Sequence, residues 1–172
     1  MYQQETISFF TATILEWKHL LKPDKYKQII LDSLRFLVEN KRIVLYGFVI
    51  MPNHIHLLWQ IQSPFLRESV QRDFLKFTAQ QIKFDLQKEH PLVLERFRTQ
   101  TTDRHYQIWE RNGLSVYCYS VSMVEQKLDY IHNNPVQEKW NLASVPETYA
   151  FSSAAYYLKN DTTFDFLTHY LD

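Results

Sequence analysis

Glycine and cysteine are scarce in this sequence. Of its 172 residues, two are glycine and one, Cys118, is cysteine. A single cysteine excludes an internal disulfide and favours a reducing compartment, so we expect a cytoplasmic protein. Few glycines, no low-complexity run and no internal repeat argue against a disordered or linker-rich chain. We therefore expect residues 1–172 to form a single domain with one sizeable core.

Long apolar runs and net charge are lacking as well. No stretch is apolar enough to span a membrane, and the first ten residues, MYQQETISFF, lack the basic start and apolar core of a signal peptide. The 19 basic and 19 acidic residues cancel. Nucleic-acid enzymes are more often basic, so any contact with nucleic acid must come from local clusters of charge.

Two such clusters can be identified in the sequence. A long helix predicted from about Leu66 to Gln87 carries Arg72, Lys76 and Lys83 along one face, although a merely solvated face explains this pattern equally well. The second cluster interleaves basic and aromatic residues, on which unpaired bases could stack. It comprises Arg96, Arg98, Arg104, Tyr106, Trp109 and Arg111.

The order of predicted elements indicates the fold. We predict strands at 7–15, 43–50, 54–61, 106–111 and 116–119, and helices at 24–39, 66–87 and 123–133. A polar, arm-like connection should span 88–105, and the end of the chain should be irregular. Strand, helix, strand, strand, helix, strand is the ferredoxin-like order. We therefore expect an α+β sandwich with an antiparallel sheet, helices on one face and the other face accessible.

The predicted strand at 54–61 carries two histidines. Because strand side chains alternate, His54 and His56 share a face, while Ile55, Leu57 and Trp59 point to the other. Two imidazoles side by side can hold a divalent metal. Taken alone, however, such a triplet is more often a pair of packed or half-exposed histidines.

A short helix near the end supplies a second set of polar groups. Ser122 and Glu125 form a capping-box pattern that predicts its start, and Pro135 predicts its end. Tyr130 and Asn134, four residues apart, should project together from one face. The other tyrosines lack such a partner, and packing or base stacking is their default interpretation; His132 most simply makes a local hydrogen bond.

Two motifs resemble the REP-associated tyrosine transposases, which belong to the HUH superfamily of single-strand transposases. The stretch VIMPNHIHLL, residues 49–58, is similar to the family's histidine-hydrophobe-histidine strand. The stretch LDYIHNNPV, residues 128–136, is similar to its nucleophile helix. Weaker similarity extends over nearly the whole chain.

The resemblance implies a fold, a reaction and a set of roles. The fold is again ferredoxin-like. Tyr130 would be the nucleophile, and His54, His56 and Asn134 would bind Mg²⁺ or Mn²⁺, although insertion-sequence relatives usually have glutamine where this chain has Asn134. The protein would then nick and rejoin single-stranded hairpin DNA, such as a repetitive extragenic palindrome, through a 5′-phosphotyrosine.

Several alternatives stay open on sequence alone. A hairpin-binding protein that does not cleave would bind DNA without metal, and a small metal-dependent hydrolase would release product without a protein adduct. After Val136 this chain departs from the usual family pattern, so its hairpin preference does not follow from the resemblance. A homodimer, in which Tyr130 of one subunit serves the metal of the other, is a further alternative.

Overall fold

Four antiparallel strands form the centre of the computed structural model, which describes residues 5–172. The strands are β1 (Ser8–Thr13), β2 (Ile43–Ile50), β3 (His54–Ile61) and β4 (Leu114–Tyr117). The α-helices in this range are α1 (Asp24–Glu39), α2 (Arg67–Glu89), α3 (Pro91–Glu95), α4 (Val121–Asn133) and α5 (Ala154–Lys159). No helix among these residues has the length and apolar character that a membrane crossing requires.

The strand order confirms the predicted fold class. Across the sheet the strands run β2-β3-β1-β4, all antiparallel, which is the ferredoxin-like arrangement. β3 is therefore a central strand, paired with β1 on one side and with β2 on the other. In this register His56 lies opposite Thr11 of β1 and opposite Val49 of β2.

The two faces of the sheet have different partners. Ile55, Leu57 and Trp59 point to the face covered by α1 and α2 and are fully buried in the larger core. The opposite face is partly covered by α4, whose apolar stripe packs on Leu58 and Val49 in a second, smaller core. This stripe is the predicted one, Val124, Leu128 and Ile131. The part of this face that α4 leaves uncovered is accessible from solvent.

Gly47 of β2 lets α4 approach closely. A Cβ atom at this position would lie 2.6 Å from Cδ2 of Leu128 and 3.3 Å from Oγ of Ser153. Next to this contact, His132 Nε2 lies 2.8 Å from Ser153 Oγ, which also accepts a hydrogen bond from the amide of Phe48. Close packing and buried hydrogen bonds together hold α4 against β2.

Some predicted elements were wrong in type or in position. Within residues 106–111, Tyr106 and Trp109 form isolated bridges and no strand is present. Strand β4 begins at Leu114, after Asn112 turns the chain with a φ of 60°. The polar connection contains α3, and the irregular tail contains α5. The start of α4 also differs from the predicted capping box, because Ser120 is the N-cap and accepts a hydrogen bond from Met123 N.

The contact at Gly47 can be tested by a double-mutant cycle. Gly47→Ala should lower the free energy of unfolding by about 1–3 kcal/mol, because the added methyl group meets Leu128. Leu128→Ala alone should cost about 2–5 kcal/mol by leaving a cavity. In the Leu128→Ala background, Gly47→Ala should cost much less, because only the 3.3 Å contact with Ser153 Oγ remains, as measured by urea unfolding. Equal losses in both backgrounds would contradict the close approach.

Candidate active site

His54 and His56 lie side by side on β3, on the face that α4 partly covers. Both are buried, at 7% and 5% exposure, and their ring centroids are 4.7 Å apart. This arrangement agrees with the alternation predicted from the sequence. The two imidazoles are therefore neighbours, next to the smaller core.

Each histidine is oriented through its Nδ1 atom. His54 Nδ1 lies 2.6 Å from Oδ1 of Asn53, whose Nδ2 in turn donates to the carbonyl of Trp17. Because Oδ1 can only accept, His54 carries its proton on Nδ1, and Nε2 has a free lone pair. His56 Nδ1 lies 2.8 Å from Thr11 Oγ1, a partner that permits the same tautomer. Such anchoring of the second nitrogen is typical of metal-binding histidines.

Burial keeps both imidazoles neutral. Burial lowers the pKa of His54 to about 4; a side-chain interaction with Asn134 opposes this shift, and the charge of Lys139 adds to it. Burial also lowers the pKa of His56 to about 3, with additional lowering by His54 and Lys127. At neutral pH both rings therefore offer lone pairs instead of positive charge.

Tyr130 and Asn134 reach the histidines from α4 and the turn that follows it. The Tyr130 ring is 47% exposed and lies edge-on to His56, with 5.2 Å between the centroids. Phe9 of β1 stacks on His56 at 5.1 Å and meets Tyr130 edge-on at 5.9 Å. Asn134 is only 3% exposed and interacts with His54. All four residues predicted from the two motifs thus meet within one chain.

These side chains border a cleft of about 460 Å³, which we call the histidine cleft. Its lining is Phe9, Thr11, Thr13, Trp17, His54, His56, Leu114, Lys127, Tyr130, Asn134, Lys139 and Trp140.

The donor atoms in the cleft fit a divalent metal. His56 Nε2 and Asn134 Oδ1 are buried and have no hydrogen-bond partner in the described part of the chain. Buried acceptors without a partner are costly, and a cation would satisfy both. No group of three or more His, Cys, Asp or Glu side chains suited to a metal occurs in residues 5–172. The candidate ligand set is therefore two imidazoles and one amide, which leaves positions for oxygen atoms of a substrate.

Lys127 and Lys139 make the cleft electropositive. Sequence reasoning missed both, although Lys127 lies one helical turn before Tyr130, a spacing that could have revealed it. The Lys127 ammonium is 4.8 Å from the centroid of Phe9. Neither lysine has an ion-pair partner among residues 5–172. Their unpaired charge favours an anionic group beside Tyr130.

Most of the predicted basic residues border a second concavity, although Arg96 and Arg98 do not line it. A groove of about 650 Å³, which we call the basic groove, is lined by Arg72, Lys76, Lys83, Arg104, Trp109 and Arg111. Trp109 is 5% exposed and its Nε1 donates to Thr78, so little of the ring is free for a base to stack on. The groove adjoins the histidine cleft, because Glu110 of the groove donates its amide hydrogen to the carbonyl of Thr13 in the cleft.

Acidic residues offset part of the charge in the basic groove. Arg104 and Arg111 both pair with Asp103, at 3.2 and 3.0 Å. Arg72 pairs with Asp73 at 3.1 Å. Lys76 and Lys83 have no ion-pair partner in the described residues and supply its uncompensated charge.

The remaining candidates from the sequence lie outside the histidine cleft. His132 is buried, its pKa is lowered to about 4 by that burial, and its Nε2 faces Ser153. It therefore helps to hold α4 in place. Tyr106 binds Glu95, and Tyr119 is 69% exposed without lining the cleft. Within residues 5–172, Tyr130 is the tyrosine that borders it.

Comparison with known proteins gives a structural match. No protein-family model matches the sequence, and no curated protein matches it. The solved structure of a REP-associated tyrosine transposase bound to a REP hairpin is 17% identical, with a TM-score of 0.65 over 98% of this chain and 86% of that one. A transposase-like protein of Deinococcus radiodurans is 15% identical, with a TM-score of 0.49 over 74% of this chain and 90% of that one. The chain therefore has the fold of a REP-associated tyrosine transposase.

Proposed function

We propose that this protein is a REP-associated tyrosine transposase of the HUH type, a metal-dependent enzyme that nicks and rejoins single-stranded hairpin DNA. The observation that carries the proposal is the position of Tyr130, whose ring lies 5.2 Å from that of His56 in a cleft shared with His54 and Asn134. The likeness to the hairpin-bound transposase supports it at the level of the fold.

Tyr130 performs the covalent step. Its hydroxyl oxygen attacks the scissile phosphorus in line, forms a 5′-phosphotyrosine bond and displaces a 3′-hydroxyl. Tyr130 is half exposed, so water can accept its proton and can protonate the leaving oxygen. One phosphoester bond replaces another, and a free 3′-hydroxyl can later reverse the reaction without ATP.

The other residues of the cleft bind and orient the phosphate. His54, His56 and Asn134 would hold Mg²⁺ or Mn²⁺, which when bound polarises the non-bridging oxygens of a phosphodiester. Because the histidines are neutral, the fixed positive charge of the cleft comes from Lys127 and Lys139. That charge stabilises the phosphate as negative charge builds up during attack.

The basic groove binds the paired part of the DNA in this proposal. Its exposed cations can contact phosphates of a hairpin stem, and phosphate contacts fix the position of a duplex without reading its sequence. The two concavities meet where Glu110 bonds to Thr13, so a strand leaving a stem in the groove would pass this edge of the sheet to reach Tyr130.

The covalent step is tested by trapping the protein on DNA. The wild-type protein, mixed with labelled hairpins from the DNA around its own gene, should give a shifted band on a denaturing gel in Mn²⁺ and none in EDTA. Tyr130→Phe and His56→Ala should abolish the band. Tyr119→Phe, which alters an exposed tyrosine outside the cleft, should leave it unchanged.

Other outcomes would identify a different function. Hairpin binding without any adduct, unaffected by EDTA, would indicate a binding protein that does not cleave. Metal-dependent cleavage without an adduct would indicate a hydrolase and would contradict the role of Tyr130.

The role of the basic groove is tested by salt dependence. In the Tyr130→Phe background, which cannot cleave, changing Arg72, Lys76 and Lys83 together to Gln should weaken hairpin binding. The slope of log K against log salt should become shallower by roughly 0.9 for each phosphate that the protein no longer neutralises. The matched control changes Lys22, Lys41 and Lys88, which line neither concavity, to Gln. Equal slopes for the two triple variants would exclude the groove as the stem site.

A further inference from the structure

Trp17 presents an exposed indole at the histidine cleft. Its side chain lines the cleft and is 64% exposed, unlike Trp59 and Trp109, which are buried in the larger core. Trp140 also lines the cleft, but its ring packs against His54 at 5.8 Å and against His19 at 5.6 Å. Within residues 5–172 the Trp17 ring pairs with no other ring, and most of its surface is open to solvent.

The backbone that carries Trp17 is in an unfavourable conformation. Glu16 and Trp17 are consecutive residues with positive φ angles of 54° and 57°, a region that disfavours residues with a Cβ atom. Such conformations persist only where the surroundings enforce them, and they occur often at functional sites. Core packing does not explain why an exposed tryptophan occupies this backbone conformation.

Hydrogen bonds enforce this conformation and connect it to the histidines. The Trp17 amide donates to the carbonyl of Ile14 at 2.9 Å, and the Glu16 amide donates to the carboxylate of Glu110 at 2.6 Å. Asn53 donates through Nδ2 to the Trp17 carbonyl at 3.2 Å, while its Oδ1 accepts from His54. The same buried carboxamide therefore fixes both the Trp17 backbone and a predicted metal ligand.

We infer that Trp17 is a stacking platform for one unpaired nucleobase next to the scissile phosphate. This inference rests on the proposed function and adds the subsite that holds the base. Cations in the cleft attract the phosphate, so the neighbouring base must lie within a nucleotide's reach of it. Trp17 offers the free aromatic face there, and base–indole stacking tolerates any base because every base has a π face.

The coupling through Asn53 explains what the platform does. A base stacked on Trp17 lies on a residue whose backbone is tied to His54, because Asn53 bonds both to the Trp17 carbonyl and to the His54 ring. The phosphate attached to that nucleotide is then held in register with Tyr130. Trp17 is therefore a positioning residue that selects the single-stranded foot of a hairpin over its paired stem.

The test measures binding of single-stranded flanks. In the Tyr130→Phe background, the affinity for a fluorescent hairpin with its native single-stranded flanks should fall roughly ten-fold or more on Trp17→Ala. Affinity for the same hairpin without flanks should not change, and Trp17→Phe should retain most of the binding. The control is Phe36→Ala, which removes an aromatic side chain that is 52% exposed on α1, and it should have no effect.

Abasic substitution makes the test independent of any folding defect. Placing one abasic nucleotide at each flank position in turn should reproduce the loss of affinity at a single position in the protein with Trp17. At that position Trp17→Ala should cause no further loss, because the stacking partner is already missing. Unchanged affinity on Trp17→Ala, or the same loss on every abasic flank, would overturn the inference.

The outcomes separate this inference from the proposed function. If the protein with Tyr130 forms its adduct but Trp17→Ala binds flanked hairpins normally, only the platform is refuted. If no adduct forms and the Tyr130→Phe protein binds no hairpin, the proposed function and the platform are both refuted.

Discussion

The packing of α4 against the open face of the sheet determines whether the histidine cleft exists. Tyr130 belongs to α4 and Asn134 to the turn that follows it, whereas His54 and His56 belong to β3. The two pairs meet only if α4 has one position and one rotation on the sheet. Gly47 permits this by admitting Leu128 where any Cβ would clash. The buried His132–Ser153 hydrogen bond adds a directional constraint that apolar packing alone lacks.

The sheet separates stability from chemistry. One face of the sheet is buried under α1 and α2 in the larger core, which stabilises the fold. The other face can therefore carry polar groups. On that other face, burial keeps His54 and His56 neutral while Lys127 and Lys139 supply charge at the rim. Neutral donors inside and cations outside suit a site that takes up a metal and a phosphate together. A bound cation would give His56 Nε2 and Asn134 Oδ1 the partner that they lack among the described residues.

Sequence patterns predicted the parts of the fold that local rules control. The bounds of α1, β2 and β3 coincide with the predictions because strand alternation and helical periodicity are strong there. The predicted strand at 106–111 is wrong because β-propensity does not show whether a neighbouring strand has free backbone groups to pair with. Most of β1 already pairs with β4. The sequence motifs identified the histidine pair and the pair of Tyr130 and Asn134. Trp17 and Lys139 also line the cleft, but their positions there depend on tertiary contacts that no sequence spacing encodes.

The rings of His56 and Tyr130 of one chain lie 5.2 Å apart in one cleft, and we propose that the histidines and the tyrosine of a single chain act together. The most direct test mixes two inactive variants, His54→Ala/His56→Ala and Tyr130→Phe, and measures covalent adduct formation on a flanked hairpin. Action within one chain predicts that the mixture forms no more adduct than either variant alone. Restored adduct on the chain that lacks the histidines would show that Tyr130 serves a partner's metal site and would contradict this account.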